Sequence, residues 1–352
     1  MHWNNNLNFR VLKSAIILIF IFCAKLPEPN VRKEHHTKSG FKNIDLSYKD
    51  KKLYDVLVWQ IGKLFKNLPS LKPEDYSIET NSGGEASILE NKDRLSFTWI
   101  GHATVLIQLD GKNILTDPIW SDRCSPVSFA GPKRFTKPGI DIEKLPKIDI
   151  IVISHNHYDH MDLPTLKILH KKFNPKIFVG LKNKKFLEDQ GLSNVYDLDW
   201  WDSEKVDSLE VHFMPTQHFS GRGLFDKYDT LWGSFILKGK KDTIYFAGDT
   251  AYFSGFKEIA KKFPNISVAI LPVGAYEPRD FMKAVHMNPE ESFQAFQDLK
   301  ANLFLPMHYL TFVLADEALD EPLRKTKNLF QISKTNSGRL LDLKIGTVKF
   351  FP

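Results

Sequence analysis

The segment ISHNHYDHMD places four side chains that can bind metal within six residues: His155, His157, Asp159 and His160. Imidazole and carboxylate groups are the ligands that zinc or iron takes when thiolates are absent. The apolar run before this segment predicts a buried strand, which would fix the directions of the ligands. His155 and His157 share one side of an extended chain, whereas Asp159 and His160 straddle a bend, so the segment predicts ligands for two adjacent ions.

Three further candidate ligands each follow an apolar run later in the chain. His218 follows residues 209–215, and Asp249 follows residues 243–247. His308, within LPMHYLTF, follows a further short apolar run. None of them identifies a metal site alone, but together with the first segment they complete a binuclear centre. Asp249 is expected at its middle, because a carboxylate can offer one oxygen to each of two ions.

The elements that must position these ligands are short β-rich runs from residue 95 onwards. They are LSFTWIG, TVLIQL, KNILTD, DIIVIS, KIFVG, LEVHFMP, GSFILK, TIYFAGD and SVAILPV. Helical patterns cover residues 163–173, 182–190, 254–263 and 289–300. Strands first meander and then alternate with helices, and this order recurs in the second half. The pattern predicts two packed sheets with helices outside, built from two similar halves.

Composition and charge limit the class of protein. The 352 residues are 42% hydrophobic and hold two cysteines, which excludes a disordered chain and a disulfide framework. Residues 1–52 contain ten basic and four acidic residues, a net charge of +6, whereas residues 53–352 contain 38 of each. A nucleic-acid-binding domain needs a basic patch on its folded body, so no nucleic-acid partner is predicted.

The basic N-terminus contains an apolar run over residues 11–24, behind Arg10 and Lys13. This run is shorter than the roughly 20 residues of a spanning helix, so residues 1–24 are predicted to be a signal or membrane anchor, with a buried helix as the alternative. Residues 25–92 are predicted as a basic extension with one amphipathic helix near residues 54–65, and residues 93–352 as the catalytic domain. The predicted location is membrane-associated through the N-terminal segment, exported or in the cell envelope, with the cytoplasmic face as the alternative.

Several motifs together resemble the N-acyl-phosphatidylethanolamine-hydrolysing phospholipase D family of the metallo-β-lactamase superfamily. They are GHATVLIQLDGKNILTDPIW, SPVSFAGPKRF, ISHNHYDHMD, QHFSGRG, LWGSFIL, FAGDT, VGAYEPRDFM, HMNPEES and MHYLTF, in order over about residues 93–315. The resemblance implies an α/β fold, a four-layer αββα sandwich with the site at one edge. It also implies two divalent ions, with Zn²⁺ first among the candidates. The implied ligands are His155, His157 and His218 for the first ion, Asp159, His160 and His308 for the second, and Asp249 as the bridge.

The resemblance further implies hydrolysis of N-acyl-phosphatidylethanolamine-like phospholipids to N-acylethanolamine and phosphatidic acid. Two ions about 3.5–4 Å apart would supply a bridging hydroxide for attack on the phosphodiester. Assistance to the leaving oxygen is assigned to His286, and a proton relay to Asp159. His102 is expected to support the metal loops from outside the ligand set, or to be a buried structural histidine.

Other side chains have weaker predictions. Tyr158, Lys133 and Arg134 are candidate substrate contacts, with packing or a solvated loop as the alternative. The basic extension is predicted to leave His35 and His36 solvated. Three aromatic residues are expected either to line an acyl-chain groove or to pack in the core: Trp200, Trp201 and Phe225. After His308 the chain has Tyr309 and Leu310 where the family commonly has Trp-Gly, which places the shape of the pocket there in question.

Two alternative functions stay open. One is a metal-dependent sugar-phosphate lactonase or small phosphate-ester hydrolase, for which the basic N-terminus would be irrelevant to turnover. The other is a non-catalytic membrane-associated interaction protein, which the intact ligand set disfavours. The predicted partners are a phospholipid substrate and a membrane surface, with a homodimer kept as an option.

Overall fold

The computed structural model describes residues 33–47, 53–69, 76, 78, 80–81, 84–333 and 339–351. The predicted signal or anchor segment, residues 1–24, lies outside the described residues. Within the described ranges, no helix is both long enough and apolar enough to cross a membrane.

Strands account for most of the regular structure in the catalytic part of the chain. Within the described residues the strands are β1 (Ser96–Gly101), β2 (Thr104–Leu109), β3 (Lys112–Thr116), β4 (Ile150–Val152), β5 (Lys176–Gly180), β6 (Val195–Leu198), β7 (Ser203–Val206), β8 (Leu209–Met214), β9 (Ser234–Lys238), β10 (Thr243–Phe246), β11 (Val268–Pro272), β12 (Leu303–Met307), β13 (Arg339–Leu340) and β14 (Val348–Phe350). They form two seven-stranded sheets, in the orders β14-β1-β2-β3-β4-β5-β6 and β13-β12-β11-β10-β9-β8-β7. Each sheet combines antiparallel hairpins with parallel strands, as a meander followed by strand–helix alternation requires.

Helices cover the outer faces of the two sheets. The described helices are α1 (Leu53–Gly62), α2 (Glu85–Glu90), α3 (Leu163–Phe173), α4 (Asn183–Asp189), α5 (Gly255–Lys262), α6 (Arg279–Met282), α7 (Pro289–Leu299) and α8 (Glu321–Ile332). Strand β2 shows the layering directly, because Val105 and Ile107 belong to the core between the sheets while Leu106 belongs to the core beneath α3. This is the predicted αββα sandwich, and the predicted fold is confirmed.

The sequence patterns locate most elements but miss several. Residues 163–173 are predicted as a helix and form α3 with the same bounds. Strands β6 and β7 are missed because they lack a continuous apolar run, and three of the four residues of β7 are exposed. Strand β14 is missed as well, although it completes the first sheet by pairing antiparallel with β1.

Helix α1 and the turn after it pack on the catalytic domain through one face only. Trp59 stacks on Phe281 with ring centroids 4.9 Å apart, and its indole N–H donates to Asp316. The opposite face is solvent-exposed and apolar, and we call it the α1 apolar face. It consists of Tyr54, Leu57, Val58, Ile61 and Phe65, which are 49% to 85% exposed. These residues recur at helical spacing, so they form one stripe.

Residues 35–42 form a hairpin that packs on the sandwich, and we call it the N-terminal hairpin. His36 and Phe41 pair as an antiparallel bridge, and the Phe41 N–H donates to the carbonyl of Tyr228. The prediction that His35 is solvated is wrong, because its side chain is buried against Trp200 and contacts Asp199. His36 is half-buried beside the same carboxylate. The solvated interpretation rested on the basic composition of the segment, which does not reveal a carboxylate more than 160 residues away.

Candidate metal centre

The loop after β4 begins the centre by turning His155 and His157 towards each other. Nε2 of His155 lies 2.8 Å from Nδ1 of His157, and Nε2 of His218 lies 3.4 Å from that same nitrogen. His218 comes from the second sheet, four residues beyond the end of β8. Three imidazole nitrogens from both sheets therefore meet in one group, within 4.8 Å of one another.

A second group forms around the carboxylate of Asp159. Its Oδ2 lies 3.3 Å from Nε2 of His160 and 3.4 Å from Nε2 of His308. His102 joins this group, with Nε2 at 3.0 Å from the same oxygen. Its ring therefore fixes the carboxylate of Asp159, which agrees with the expected supporting role.

Asp249 lies between the two groups. One of its oxygens is 3.3 Å from Nε2 of His160 and 3.9 Å from Nε2 of His218, and the other is 3.2 Å from Nε2 of His308. The structure thus brings all seven predicted ligands together, in the two sets implied by the resemblance and with Asp249 in the bridging place. That these groups bind ions stays a prediction.

The backbone before Asp249 approaches the first metal loop very closely. Gly248 has φ +58°, and a Cβ at this position would lie 2.3 Å from Cβ of Ser154. Only glycine combines this left-handed conformation with the lack of a side chain. The FAGDT sequence therefore brings β10 against the end of β4 and places Asp249 among the histidines.

Asp117 supports the centre, and the sequence reasoning did not single it out. Its Oδ2 accepts hydrogen bonds from Nδ1 of His160 at 2.6 Å and from the hydroxyl of Ser154 at 2.6 Å. Its Oδ1 accepts the Ser154 N–H at 2.7 Å. A carboxylate at Nδ1 places the proton there and leaves Nε2 of His160 free to bind a metal. The signal was available, since Asp117 directly follows β3 at the same sheet edge as His155.

His218 is oriented from two sides. Its Nδ1 lies 2.8 Å from the carbonyl of Val285, an acceptor that leaves Nε2 unprotonated. The peptide groups of His218 are held by Asn43, whose amide donates to the His218 carbonyl at 2.8 Å and whose oxygen accepts the His218 N–H at 3.2 Å. The residues after the N-terminal hairpin thus hold a candidate metal ligand in place.

The electrostatics of the centre favour cation binding. Burial raises the pKa values of Asp159 and Asp249, but His160 and His308 beside them outweigh burial and lower both pKa values well below the usual range. The same carboxylates outweigh burial at the two rings and raise the pKa of His160 well above its usual value and the pKa of His308 to about 9, so a bound ion would displace protons from these two rings. Burial lowers the pKa of His155 and His218 well below the usual value and the pKa of His157 to about 4. These histidines are neutral at pH 7 and keep the lone pair that a metal needs.

Unpaired polar atoms provide a direct test of whether these residues fit metal ions. Nε2 of His160, Nε2 of His308 and Oδ1 of Asp249 are buried and make no hydrogen bond, although they lie 3.2 to 3.4 Å from ionisable neighbours. Buried polar atoms are nearly always hydrogen-bonded, so three such atoms among the candidate ligands fit a site for a cation. The donor set of imidazole and carboxylate suits a divalent ion of the zinc or iron class.

His286 lies at the rim of the centre. Its Nδ1 is 3.7 Å from Oδ2 of Asp249 and has no hydrogen-bond partner. Its side chain is 13% exposed, whereas the neighbouring Asp249 side chain is 2% exposed. His286 is therefore an imidazole that solvent or a substrate can reach from outside.

The predicted substrate contacts differ in their surroundings. Arg134 is directed inward, with its guanidinium donating to the carbonyls of Ile119 and Ser121, so its observed contacts are structural. Lys133 is exposed. Tyr158 lies between two candidate ligands, and its hydroxyl donates to the carbonyl of Arg222.

The aromatic residues considered for an acyl-chain groove differ in burial. Trp200 is buried in the core, and Trp201 is partly buried against it. Phe225 is 96% exposed at a loop tip. Tyr309, where the chain departs from the family pattern, stacks on Trp99 inside the core at 4.6 Å between ring centroids, so it fills the core beside the centre.

Known proteins share both the sequence pattern and the fold. Residues 112–309 match the Beta-lactamase superfamily domain. The chain is 37% identical to N-acyl-phosphatidylethanolamine-hydrolyzing phospholipase D 1 of Caenorhabditis elegans, over 75% of this chain and 78% of that protein. It is 35% identical to the mitochondrial N-acyl-phosphatidylethanolamine-hydrolyzing phospholipase D of Saccharomyces cerevisiae, over 72% of this chain and 54% of that protein. A metallo hydrolase from the archaeon Ignicoccus hospitalis has the same fold, with a TM-score of 0.56 at 23% identity, over 73% of this chain and 98% of that chain.

Proposed function

The chain belongs to the N-acyl-phosphatidylethanolamine-hydrolysing phospholipase D family of the beta-lactamase superfamily and is a metal-dependent hydrolase, and from this premise we propose its reaction. The proposed reaction is hydrolysis of N-acyl-phosphatidylethanolamine-like phospholipids to N-acylethanolamine and phosphatidic acid. The observation that supports it is the position of Asp249 between two groups of buried ligands. A paired-ion site of this kind suits displacement at a phosphodiester, and the named relatives supply the substrate class.

The proposed cofactor is a pair of Zn²⁺ ions. His155, His157 and His218 would hold one ion, Asp159, His160 and His308 the other, and Asp249 both. When bound, such ions activate water as a nucleophile near neutral pH and neutralise charge on phosphoryl oxygens. The protein's own contribution is to orient the ligand rings. Asp117 contacts Nδ1 of His160, and the carbonyl of Val285 contacts Nδ1 of His218, so each ring is fixed with Nε2 towards the ion.

His286 is proposed to assist the leaving group. Burial lowers the pKa of His286 to about 4, so its ring is neutral at pH 7. A neutral imidazole presents one N–H, which can hydrogen-bond to the ethanolamine oxygen as the P–O bond breaks. Asp159, which His102 contacts at 3.0 Å, is proposed to pass a proton between the water and the leaving oxygen.

A cleft beside the metal loop is the proposed place for the lipid. It has a volume of about 770 Å³, and its walls include Tyr158, Arg123, Val127 and Phe186. Its lining mixes apolar residues with Arg123 and Arg222 and with two acidic residues, Asp122 and Asp162, and it reaches the metal loop at Tyr158. The lipid phosphate is proposed to lie at the Tyr158 end and the acyl chains on the apolar wall. Exposed Lys133, in the same loop as Arg123, would add positive charge for the lipid phosphate.

The α1 apolar face supports the proposal that the enzyme works on a membrane surface. Such a stripe on a helix that is anchored through its other face can enter the interface of a bilayer without crossing it. Lys63 and Lys66 both contact Asp316, at 3.4 and 3.3 Å, and so hold the end of the helix on the domain with the stripe facing outward. This mode of attachment is independent of residues 1–24, and the proposed location stays membrane-associated.

The membrane proposal is tested by comparing turnover on bilayers with turnover on detergent-dispersed substrate. In Leu57→Glu/Ile61→Glu, turnover on vesicles should fall while turnover in detergent stays unchanged. Gln60→Glu is the matched control, because Gln60 is exposed on the same helix outside the stripe. If the double variant acts on vesicles like the unmodified protein, α1 is not a membrane contact. If it instead converts a dimer to a monomer in light scattering, the stripe is an interface between two copies.

The proposed reaction is tested by mass spectrometry of products from mixed phospholipids incubated with the metal-loaded protein. Release of N-acylethanolamine and phosphatidic acid is expected, with Asp249→Asn as the inactive control. Turnover restricted to water-soluble phosphate esters or lactones would replace the proposal with the first alternative. The non-catalytic alternative is opposed by the complete set of buried ligands.

A further inference from the structure

A second cluster of metal-binding side chains lies where the N-terminal hairpin meets the residue after β6. Nε2 of His35 is 2.6 Å from Oδ1 of Asp199, and Nε2 of His36 is 2.9 Å from Oδ2 of the same carboxylate. One donor atom from each of the three residues falls within 4.8 Å of the others. The cluster shares no residue with the metal centre described above.

We propose that His35, His36 and Asp199 form a third metal site, which takes a divalent transition-metal ion such as Zn²⁺. Two imidazoles and one carboxylate with a fourth position left for water is a recurrent zinc ligand set. Both imidazoles hydrogen-bond to the carboxylate, at 2.6 and 2.9 Å, so an ion would replace these two hydrogen bonds and widen the group.

The surroundings hold both rings in fixed orientations. The ring of His35 stacks on Trp200 with centroids 4.2 Å apart, and the ring of His36 lies edge-on to Phe41 at 5.2 Å. Oδ1 of Asp199 also accepts the N–H of Trp200 at 2.8 Å. Metal binding in proteins is strengthened when the ligands are held by further hydrogen bonds and surrounded by apolar side chains. Partial exposure of His36 gives an ion a route from solvent.

The carboxylate of Asp199 is ionised at neutral pH, as a metal ligand must be. Burial raises the pKa of Asp199, but the hydrogen bond from His35 and the nearby Lys33 outweigh burial and lower this pKa to about 2. Lys33 competes for the same carboxylate, at 3.3 Å from Oδ2. Its ammonium has two closer partners, the Trp200 carbonyl at 2.6 Å and Asp202 at 2.9 Å, so it can stay in place when an ion occupies the histidines.

An ion at this site would connect the N-terminal hairpin to the sandwich. The residues directly after the hairpin hold the loop of His218 through Asn43, and the carbonyl of Asp45 accepts a hydrogen bond from Gln217 at 2.9 Å. The third ion would thus stabilise the segment that orients a ligand of the first metal group. Its role is structural, since none of its ligands reaches the catalytic centre.

The test is a count of bound metal in the full-length chain. The protein is equilibrated with buffered Zn²⁺, and the zinc per chain is measured by mass spectrometry of the metal. His36→Gln and Asp199→Asn should each bind one equivalent less than the unmodified protein. His212→Gln is the matched control, because His212 also contacts a single carboxylate, Glu210 at 3.0 Å, but has no second imidazole beside it; it should lose no zinc.

The test uses the difference in zinc per chain between the unmodified protein and each variant. This difference does not depend on how many ions the metal centre holds or on which substrate it hydrolyses. Zinc content that is equal in the unmodified protein and in His36→Gln would overturn the proposal and assign the cluster to hydrogen bonds alone. Folding is checked by circular dichroism, and His36→Gln is the deciding variant because the His36 side chain is 22% exposed. In cobalt-loaded protein, the third site should also add a visible absorption band that His36→Gln lacks.

Discussion

The substitution Asp117→Asn tests whether ring orientation controls metal affinity in the centre. Asp117 accepts a hydrogen bond from Nδ1–H of His160 at 2.6 Å, and its other oxygen accepts a hydrogen bond from the N–H of Ser154. An asparagine in the same position can keep its oxygen on Ser154, but it then presents an amide N–H₂ to His160. The proton of His160 must move to Nε2, which is the nitrogen that faces Asp159 and Asp249.

The expected loss follows from the role of such partners. Removing a hydrogen-bond partner that orients a ligand typically costs 10- to 100-fold in metal affinity, or about 1.4 to 2.7 kcal/mol. The assay measures bound zinc and activity across a series of buffered free-zinc concentrations. The midpoint should move to higher zinc by that factor, and activity at saturating zinc should largely return.

The control is Asp162→Asn. Asp162 is also buried and accepts hydrogen bonds from the hydroxyls of Ser121 and Thr165, but none from a histidine. Both substitutions replace a buried carboxylate by an amide, so both should lower the thermal stability. Only Asp117→Asn should shift the zinc midpoint. An unchanged midpoint in Asp117→Asn, or an equal shift in Asp162→Asn, would refute the tautomer argument.

Three more predictions concern the centre and its supports. Asp249→Asn should abolish activity and reduce the metal content, which elemental analysis measures; a normal rate would remove the paired-ion mechanism. His286→Ala should lower kcat by about 10²- to 10³-fold, the usual cost of removing one hydrogen bond to an oxygen that gains negative charge, with metal content unchanged; loss of metal would instead make His286 a ligand. Asn43→Ala removes two hydrogen bonds to the peptide groups of His218 and should reduce the free energy of unfolding by about 1–3 kcal/mol in a denaturant titration; unchanged stability and zinc affinity would show that the segment after the hairpin does not support the site.

The sequence predicted what depends on local order and could not predict what depends on distant contacts. The segment from His155 to His160 and the strand before it are adjacent in the chain, so their spacing alone predicted them as candidate ligands. The positions of Asp249 and His308 were predicted because both follow apolar runs, and strand ends collect at one edge of a sheet.

Other features have no local signal of this kind. The contact of His35 with Asp199 joins residues 164 positions apart, and a basic segment gives no sign that it packs on the sandwich. The inward direction of Arg134 likewise depends on carbonyls that only the folded loop presents. Strand β7 is short and mostly exposed, so its place depends on pairing with β8 rather than on its own residues.

The division of the centre between two sheets has a consequence for how the enzyme matures in the cell. Residues 155–160 follow β4 of the first sheet, whereas His218, Asp249 and His308 follow strands of the second. Neither half can complete a set of ligands before the two sheets have docked. The complete ligand sets would therefore exist only in the assembled sandwich, and full metal occupancy would report that the two sheets have docked.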